Sequence, residues 1–342
     1  MGRSGWIAAA LLLTTMAARA QAPTSPPQAL DEVLDTPTRA GIVNEYARQL
    51  AATHVNAGKA KLAADDLRKR LARGDYDDVT SARVLSSRVS RDLAEVLPDR
   101  HTRLEYVPYD LTDIRQRPAP PLPPADNFGL RKYEALAGNI GYVQINRFAP
   151  VDRASVEAVG RFMSQAADNA ALIIDLRDAA GDSQEMAAWL SSYVLTDTRS
   201  YVIIDKQIHL HDQVDRDGKV VTEYWTRADV AGKRFGGRKP LYVLVSERTG
   251  AAAEGFAYDL QQYKRAVVVG APTQGDAQVR AAPPVSRHLL ASISVTRAVN
   301  NISRSNWESI GIQPDRVVAP RDALDEALKL ATATIKARMD AK

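Results

Sequence analysis

The feature that most constrains the fold is a buried-strand pattern followed at once by a helix pattern. Leu241–Val245 is an uninterrupted apolar run with the length of one buried strand. Residues 246–250 have the composition of a turn. Phe256, Leu260 and Tyr263 then recur at spacings of four and three, as on one face of a helix. A strand that feeds a helix through a short turn predicts an α/β unit here.

The start of that helix is a position where enzymes often carry a nucleophile. The free N–H groups of a first helical turn stabilise negative charge nearby, so a small reactive residue is well placed there. Residues 250–253 read Gly-Ala-Ala-Ala and contain neither a hydroxyl nor a thiol. The pattern predicts a catalytic position that lacks its nucleophile.

Composition excludes several classes of function. The 342 residues are enough for one large domain or two moderate ones, and 45% hydrophobic residues allow a sizeable core. The absence of cysteine excludes disulfides, thiolate metal sites and thiol catalysis. The net charge of +4 is mild and no run of Lys or Arg is present, so we expect no nucleic-acid partner.

The first 20 residues have the form of a cleaved secretory signal. Arg3 gives a positive start, residues 6–16 are apolar, and residues 18–20 (Ala-Arg-Ala) form a small-x-small cleavage site before Gln21. A membrane anchor is the alternative, but this run is too short to span a bilayer and no later segment is longer. We expect export to a bacterial periplasm, no membrane span, and a flexible N-terminus over residues 21–30.

A small helical domain is predicted over residues 31–110, followed by a Pro-rich linker over residues 111–130. Residues 115–126 carry five prolines, which excludes a helix interior or a central strand. Three apolar stripes at helical spacing support the helices. They are Ile42, Val43, Tyr46 and Leu50; then Leu67 and Leu71; then Leu85, Val89, Leu93 and Val96.

Residues 131–338 alternate strand and helix patterns, which predicts an α/β domain with mostly parallel central strands. The predicted strands are residues 140–148, 171–177, 201–206, 241–245, 266–270 and 289–296. The predicted helices are residues 153–166, 183–193, 252–263 and 321–337.

Histidines offer two candidate sites. His101 follows Asp99 on a loop and could serve as a general base, although a lone histidine is more often a surface or capping residue. His209 and His211 would share one face of a strand and could form half a metal site. Because no third ligand follows them, solvated hairpin residues are the better interpretation, and we expect no metal.

Two further segments carry weaker signals. Residues 178–182 (Asp-Ala-Ala-Gly-Asp) follow a strand and could present N–H groups to an oxyanion, or could be an ordinary turn. Glu308 lies beside Trp307, where a carboxylate could orient a base or bind an amine, although isolated acids are more often surface residues.

Taken in order, five segments resemble the tail-specific (C-terminal processing) serine peptidase family. The likeness is greatest to the branch similar to interphotoreceptor retinoid-binding protein and the tricorn core, and it covers residues 30–335. The segments are residues 99–101 (Asp-Arg-His), 139–143 (Asn-Ile-Gly-Tyr-Val), 171–177 (Ala-Leu-Ile-Ile-Asp-Leu-Arg), 249–258 (Thr-Gly-Ala-Ala-Ala-Glu-Gly-Phe-Ala-Tyr) and 306–315 (Asn-Trp-Glu-Ser-Ile-Gly-Ile-Gln-Pro-Asp).

The resemblance implies a fold and the roles of three residues. The fold is α/β, a crotonase-like (ClpP/crotonase) spiral of ββα units, here after a small helical domain and without a PDZ insertion. His101 matches the catalytic base and Glu308 matches the positioning glutamate. The serine nucleophile falls on Ala251, and the lysine base of the tail-specific branch falls near Asp276.

The same resemblance implies an altered oxyanion site. The cleft residues would be Ala180, Gly181 and Ala252, and the glycine-rich loop of the family is reduced to residues 178–182. Asp182 would add a negative charge where an oxyanion needs stabilisation. A single Ser→Ala substitution would not explain this altered loop. A gradual loss of activity explains both the loop and the missing serine.

These observations predict an exported pseudo-peptidase that binds a peptide or small apolar ligand in a retained cleft, without a cofactor. One alternative is an active serine-type peptidase that uses a displaced hydroxyl, Ser246 or Thr249. A structural or scaffolding role is the other. The sequence leaves the oligomeric state open.

Overall fold

The structure is a computed structural model that describes residues 31–113, 126–181, 183–196, 203–204 and 206–341. Side chains are not described at residues 203–204. The predicted signal and N-terminal segment (1–30), most of the Pro-rich linker and Asp182 lie outside the described residues. No described helix combines the length and the apolar character needed to cross a membrane.

Three helices begin the described chain, as the apolar stripes predict. They are α1 (Thr36–Thr53), α2 (Ala57–Ala72) and α3 (Ala82–Val96). A side-chain oxygen caps the N-terminus of each helix by accepting a backbone N–H, which satisfies one of the donors that a first turn leaves free. The capping residues are Asp35, Asn56 and Ser81.

A six-stranded sheet forms the centre of the α/β region. Its strands are β2 (Leu130–Leu136), β3 (Ile140–Ile145), β4 (Ala171–Asp175), β8 (Leu241–Val245), β9 (Val267–Gly270) and β12 (Arg316–Val317). The spatial order is β12-β9-β8-β4-β3-β2. All neighbouring pairs are parallel except β2 with β3. The prediction of mostly parallel central strands is confirmed.

A second six-stranded sheet is antiparallel. Its strands are β1 (Arg103–Tyr106), β5 (Ile203–Ile204), β6 (Gln207–Val214), β7 (Val220–Trp225), β10 (Gln278–Ala281) and β11 (Leu289–Asn300). The long strand β11 pairs with β1, β10 and β6 along its length. It thereby connects the strand that follows the first three helices with the strands of the α/β region.

Helices cover both faces of the parallel sheet. They are α4 (Arg153–Ala166), α5 (Gln184–Ser191), α6 (Ala252–Gln262) and α7 (Ala323–Asp340). The larger core contains residues of α4, α5 and α6, whereas α7 packs Ala323, Ala327 and Ala331 on the opposite face. The helices α1–α3 form a third core with β1 and β11. The result is a mixed α/β fold in which α6 is held between a buried sheet and the antiparallel sheet.

Sequence analysis did not predict every strand, and β2 and β6 are two of those that it missed. The first residue of β2, Leu130, falls within the predicted Pro-rich linker. The sequence of the strand, LRKYEAL, is too charged to give the pattern of a buried strand. It lies at the edge of the parallel sheet, where only one neighbour is needed. β6 follows the predicted strand 201–206, of which only Ile203–Ile204 is a described strand.

Candidate functional site

Ala251 lies at a strained turn between β8 and α6. Its backbone has φ 49° and ψ −118°, the conformation of the first central residue of a type II′ turn, which glycine normally occupies. A sharp, strained strand-to-helix turn of this kind exposes the nucleophile in several hydrolases. The turn therefore has the form of a nucleophile position, but the side chain it presents is a methyl group.

The buried carboxylate of Glu254 holds this turn in place. It accepts hydrogen bonds from the backbone N–H of Ala251 at 3.1 Å, of Gly275 at 2.6 Å and of Asp276 at 2.9 Å. The hydroxyl of Thr273 is a fourth donor. Burial raises the pKa of Glu254, and the hydrogen bonds from Thr273, Gly275 and Asp276 oppose that shift. Glu254 thus connects the Ala251 turn to the loop over residues 273–277.

The same loop connects to Glu308. The N–H of Ala277 donates to Glu308 Oε2 at 2.8 Å, while the other carboxyl oxygen, Oε1, is buried without a hydrogen-bond partner among the described residues. Burial raises the pKa of Glu308 to about 7, and the negative charges of Asp99 and Asp276 add to the shift. Glu308 is therefore a partly protonated acid near neutral pH.

His101 faces the loop from the other side. Its Nε2 lies 3.6 Å from Asp276 Oδ1, and its Nδ1 lies 2.9 Å from Arg280 Nη1. Arg100 Nε also donates to Nε2 at 3.3 Å, so each ring nitrogen of His101 has a guanidinium donor nearby. Burial lowers the pKa of His101 and Arg280 contributes, while Asp276 opposes the shift.

These contacts bring the three predicted site residues to one loop. Ala251 reaches Asp276 through Glu254, Glu308 binds the next residue, Ala277, and His101 faces the Asp276 side chain. The resemblance expects a lysine base near Asp276. A carboxylate there cannot act as a lysine does, and it adds negative charge beside Glu308.

Two of the three residues expected to hold an oxyanion, Ala180 and Ala252, have N–H groups that are already engaged. The Ala252 N–H donates to the carbonyl of Gly181 at 2.9 Å, and the Ala180 N–H donates to the carbonyl of Asn146 at 3.1 Å. An oxyanion hole needs donors that are free to point at the developing charge. In this conformation Ala180 and Ala252 supply none. The predicted effect of Asp182 lies outside the described residues.

A pocket of about 290 Å³ opens beside Ala251. A pocket of this size suits a small ligand or a few residues of a peptide. Most of its lining side chains are polar or charged, and they come from α5, β6, β10 and the loop before β10. The lining residues are Gln184, Gln213, Ala251, Asp276, Ala277, Gln278, Val279 and Arg280.

Residues 139–318, more than half of the chain, match the model of Peptidase family S41. The chain belongs to this family. Its S41 region contains β3 to β12 and therefore Ala251, Glu254 and Glu308, while His101 precedes it.

Similar proteins agree with this membership. Carboxyl-terminal-processing peptidase 2, chloroplastic, from Arabidopsis thaliana is 26% identical over 188 residues, which are 55% of this chain and 33% of that protein. The matched part of the chain thus spans about a third of the length of that relative.

Solved structures support the S41 fold. The photosystem II D1 C-terminal processing protease has a TM-score of 0.56 at 15% identity, covering 86% of this chain and 97% of its own. A lipoprotein from Streptococcus agalactiae has a TM-score of 0.57 at 14% identity, covering 88% and 98%. The tricorn protease has a TM-score of 0.53 at 11% identity, covering 88% of this chain and 37% of its own.

In this S41 member, the hydroxyls considered as displaced nucleophiles have structural roles. Ser246 and Thr249 are both fully buried. Ser246 Oγ donates to the carbonyl of Arg177 at 2.5 Å, and Thr249 Oγ1 donates to the carbonyl of Leu176 at 2.7 Å. Neither residue lines the pocket beside Ala251. Their hydroxyls bind the turn after β8 to the end of β4.

The interpretation of His209 and His211 as solvated hairpin residues is wrong for His211. This side chain is fully buried, and its Nδ1 lies 2.8 Å from Asp259 Oδ2 on α6. Asn300 Nδ2 donates to the other oxygen of Asp259 at 2.8 Å. No group of His, Asp and Glu side chains among the described residues forms a metal site. The hairpin pattern was correct, but its partner helix could not be inferred from the sequence.

Sequence analysis also missed Glu254, the residue with the most hydrogen bonds at the site. A signal for it exists, because a Glu three residues into a helix often binds the N–H at the helix start. Gln184, Gln213 and Arg280 were missed as well. They come from three separate elements, so no local pattern brings them together.

Proposed function

We propose that this S41 family member is an exported pseudo-peptidase that binds a peptide beside Ala251 without cleaving it. The supporting observation is made at the start of α6. Ala251 presents a methyl side chain there, and the N–H of Ala252 already donates to the carbonyl of Gly181. A methyl group cannot form an acyl-enzyme, and an engaged donor cannot stabilise an oxyanion.

The pocket lining favours a peptide over a small apolar ligand. Gln184 and Gln213 offer amide groups, and Asp276 and Arg280 offer charges of both signs. Amide and charged side chains match the polar main chain and termini of a peptide, whereas an apolar ligand would leave them without partners. Val279 supplies one apolar contact at the rim.

The remaining parts of the proposal follow from the family resemblance. They comprise a crotonase-like fold without a PDZ insertion, a signal over residues 1–20 and export to a bacterial periplasm. Mass spectrometry of the exported chain tests the last two parts, because we expect its first residue to be Gln21.

Binding is tested with a peptide library and two tryptophan variants. Val279 is 43% exposed on the pocket rim, so Val279→Trp should fill the pocket without disturbing the core. Val221 is 57% exposed on β7 and does not line the pocket, so Val221→Trp is the matched control. A peptide at one hundred times its dissociation constant should add about 2.7 kcal/mol to the stability of the wild type.

We expect peptides that bind the wild type and Val221→Trp to bind Val279→Trp much more weakly, as measured by fluorescence anisotropy. Equal binding to all three chains would show that peptides bind at a site other than this pocket. Failure of every peptide to bind would favour the scaffolding role. A fluorophosphonate probe tests the remaining alternative, an active peptidase that uses a displaced hydroxyl. Covalent labelling of the wild type that is lost in Ser246→Ala would support that alternative.

A further inference from the structure

Strand β10, which lines the pocket beside Ala251, has a free edge. It pairs with β11 in an antiparallel manner, with Gln278 opposite Arg297 and Ala281 opposite Ile293. On its other edge it has no strand neighbour in the part of the chain that the structure describes. A free edge leaves a row of backbone N–H and C=O groups without partners, and such a row can accept a further strand.

Two backbone carbonyls show which residues near β10 face β11. The carbonyl of Ala277 accepts from the N–H of Ala298 at 3.3 Å, and the carbonyl of Pro283 accepts from the N–H of Ala291 at 2.8 Å. Both donors belong to β11. Successive residues of an antiparallel strand direct their backbone groups alternately to its two edges. The odd-numbered residues between these two carbonyls therefore face β11, and the even-numbered residues face the free edge.

A third contact shows what the free edge faces. The N–H of Asp276 donates to Glu254 Oε2 at 2.9 Å, and Glu254 lies in the first turn of α6. Gln278 and Arg280 continue the same alternation and direct their backbone groups to the same side. The extra residue in the pairing is Val295 of β11, so the alternation along β10 is not disturbed. The free edge of β10 therefore faces the start of α6.

The backbone groups of Gln278 and Arg280 are available on this edge. Among the described residues, no hydrogen bond outside the pairing of β10 with β11 uses the backbone of either residue. Arg280 contacts His101 and Asp276 only through its guanidinium. Two N–H groups and two carbonyls are thus presented two residues apart, which is the spacing that a neighbouring strand needs.

The pocket beside Ala251 runs along this edge. Its lining includes the five consecutive residues 276–280. Side chains of a strand alternate between its two faces, so a pocket on one face would contact every second residue. Contact with consecutive residues is the pattern of a pocket along the edge. The methyl side chain of Ala251 leaves room for a main chain there, and Gln184 and Gln213 complete the lining.

We propose that the peptide binds as an additional strand on the free edge of β10. Its main chain pairs with the N–H and C=O groups of Gln278 and Arg280. The partner is an extended segment of another protein, about four residues long to match β10, and main-chain pairing lets it vary in side chains. The inference rests on the proposed peptide binding beside Ala251 and adds the conformation and the docking surface.

N-methylation of a peptide probe tests the strand pairing. The probe is the tightest-binding heptapeptide of a random library, labelled with fluorescein and titrated with the full exported chain. Each peptide N–H is replaced in turn by N–CH₃, which removes a donor and blocks close approach to a strand edge. Because a strand directs alternate N–H groups to its neighbour, we expect methylation at every second position to weaken binding at least about tenfold. Methylation at the positions between them is the internal control and should change binding little.

A proline variant tests the β10 side of the pairing. Gln278→Pro removes an N–H that faces the pocket and not β11, so the pairing with β11 is retained. Gln278→Ala is the matched control, because it removes the same side chain and keeps the N–H. We expect Gln278→Pro to bind the probe at least about tenfold more weakly than Gln278→Ala. Equal thermal stability of the two variants shows that the fold is intact.

The outcomes separate this inference from the proposed function. An alternating N-methylation pattern together with a loss specific to Gln278→Pro supports strand addition. Binding without alternation, or equal binding to the two Gln278 variants, would overturn strand addition and leave peptide binding intact. Absence of binding by every library peptide would overturn both. If Gln278→Pro does not fold, the N-methylation series decides alone.

Discussion

At the scale of single residues, the site combines a retained backbone with altered chemistry. Ala251 keeps φ at 49°, a conformation that costs on the order of 1–3 kcal/mol for a residue other than glycine. The N–H of Ala251 bound to Glu254, and the N–H of Gly250 bound to the carbonyl of Ala179, hold it there. The geometry of a nucleophile position is thus maintained by the surrounding hydrogen bonds and not by a catalytic hydroxyl.

Restoring the serine alone should not restore proteolysis. In Ala251→Ser the hydroxyl would return, but the Ala252 N–H would still donate to Gly181, and loss of one oxyanion donor lowers kcat by about 10²–10³. We expect a folded protein with little or no hydrolysis of fluorogenic peptides and little fluorophosphonate labelling. Robust hydrolysis by this single variant would show that the Gly181 carbonyl is easily displaced.

Glu308 should make stability fall as pH rises. Its pKa is about 7 in the folded chain against 4.5 ordinarily, so between these values the folded chain holds a proton that the unfolded chain has released. One pKa unit corresponds to about 1.4 kcal/mol. Allowing for screening by water, we expect a loss on the order of 1–2 kcal/mol across this window.

Urea unfolding between pH 4.5 and 8 measures this effect. The difference between wild type and Glu308→Gln isolates it, because other titrating groups, including His101, remain in both chains. The exposed Glu247→Gln is the control and should follow the wild type. Parallel pH profiles for wild type and Glu308→Gln would contradict the raised pKa.

At the scale of elements, the start of α6 and the loop over residues 273–277 form one unit. Glu254 supplies the connection by accepting from Ala251, Thr273, Gly275 and Asp276. The carboxylate is fully buried. If it were removed, its four donors would be left without a hydrogen-bond partner, because no water reaches them. Glu254 therefore connects the loop that carries Asp276 directly to the start of α6.

Glu254→Ala should therefore destabilise the protein by about 3 kcal/mol or more. Glu254→Gln should cost less, because its amide oxygen can still accept some of the hydrogen bonds. The exposed Glu247→Ala should stay within about 0.5 kcal/mol of the wild type. Chemical denaturation gives these values, and a loss below 1 kcal/mol for Glu254→Ala would show that water replaces the carboxylate.

At the scale of the whole molecule, buried polar contacts join helices to the antiparallel sheet. Asp259 on α6 binds His211 of β6 and Asn300 of β11. Asp99 binds His54 after α1 and Thr102 before β1, and its pKa is lowered by these partners despite its burial. The pocket beside Ala251 is lined by residues of α5, β6 and β10 together with the start of α6, so its shape depends on contacts distant in sequence.

Asp259→Ala should destabilise the whole described unit by about 3 kcal/mol, because His211 and Asn300 would remain buried without their carboxylate. The exposed Asp229→Ala is the control. Hydrogen exchange should show reduced protection in both α6 and β11. Loss of protection confined to α6 would show that α6 and the antiparallel sheet are not coupled through this residue.

The sequence alone determined the elements whose residues repeat with a clear period. The stripes through Tyr46 and Leu85 predict α1 and α3, because burial of one helix face imposes a local pattern. The apolar run Leu241–Val245 predicts β8, because every residue of that strand is buried. The resemblance likewise led to Ala251, His101 and Glu308. Each of these residues is marked by its own immediate neighbours along the chain.

Tertiary structure decided what depends on contacts between distant residues. Strand β6 (QIHLHDQV) has no apolar run and cannot be recognised as a buried strand from its sequence. Its His211 can be buried because it meets the carboxylate of Asp259, 48 positions away. The engagement of the Ala252 N–H by Gly181 and the four hydrogen bonds of Glu254 also join separate segments. A polar group can be buried only where a partner meets it, and folding alone brings that partner near.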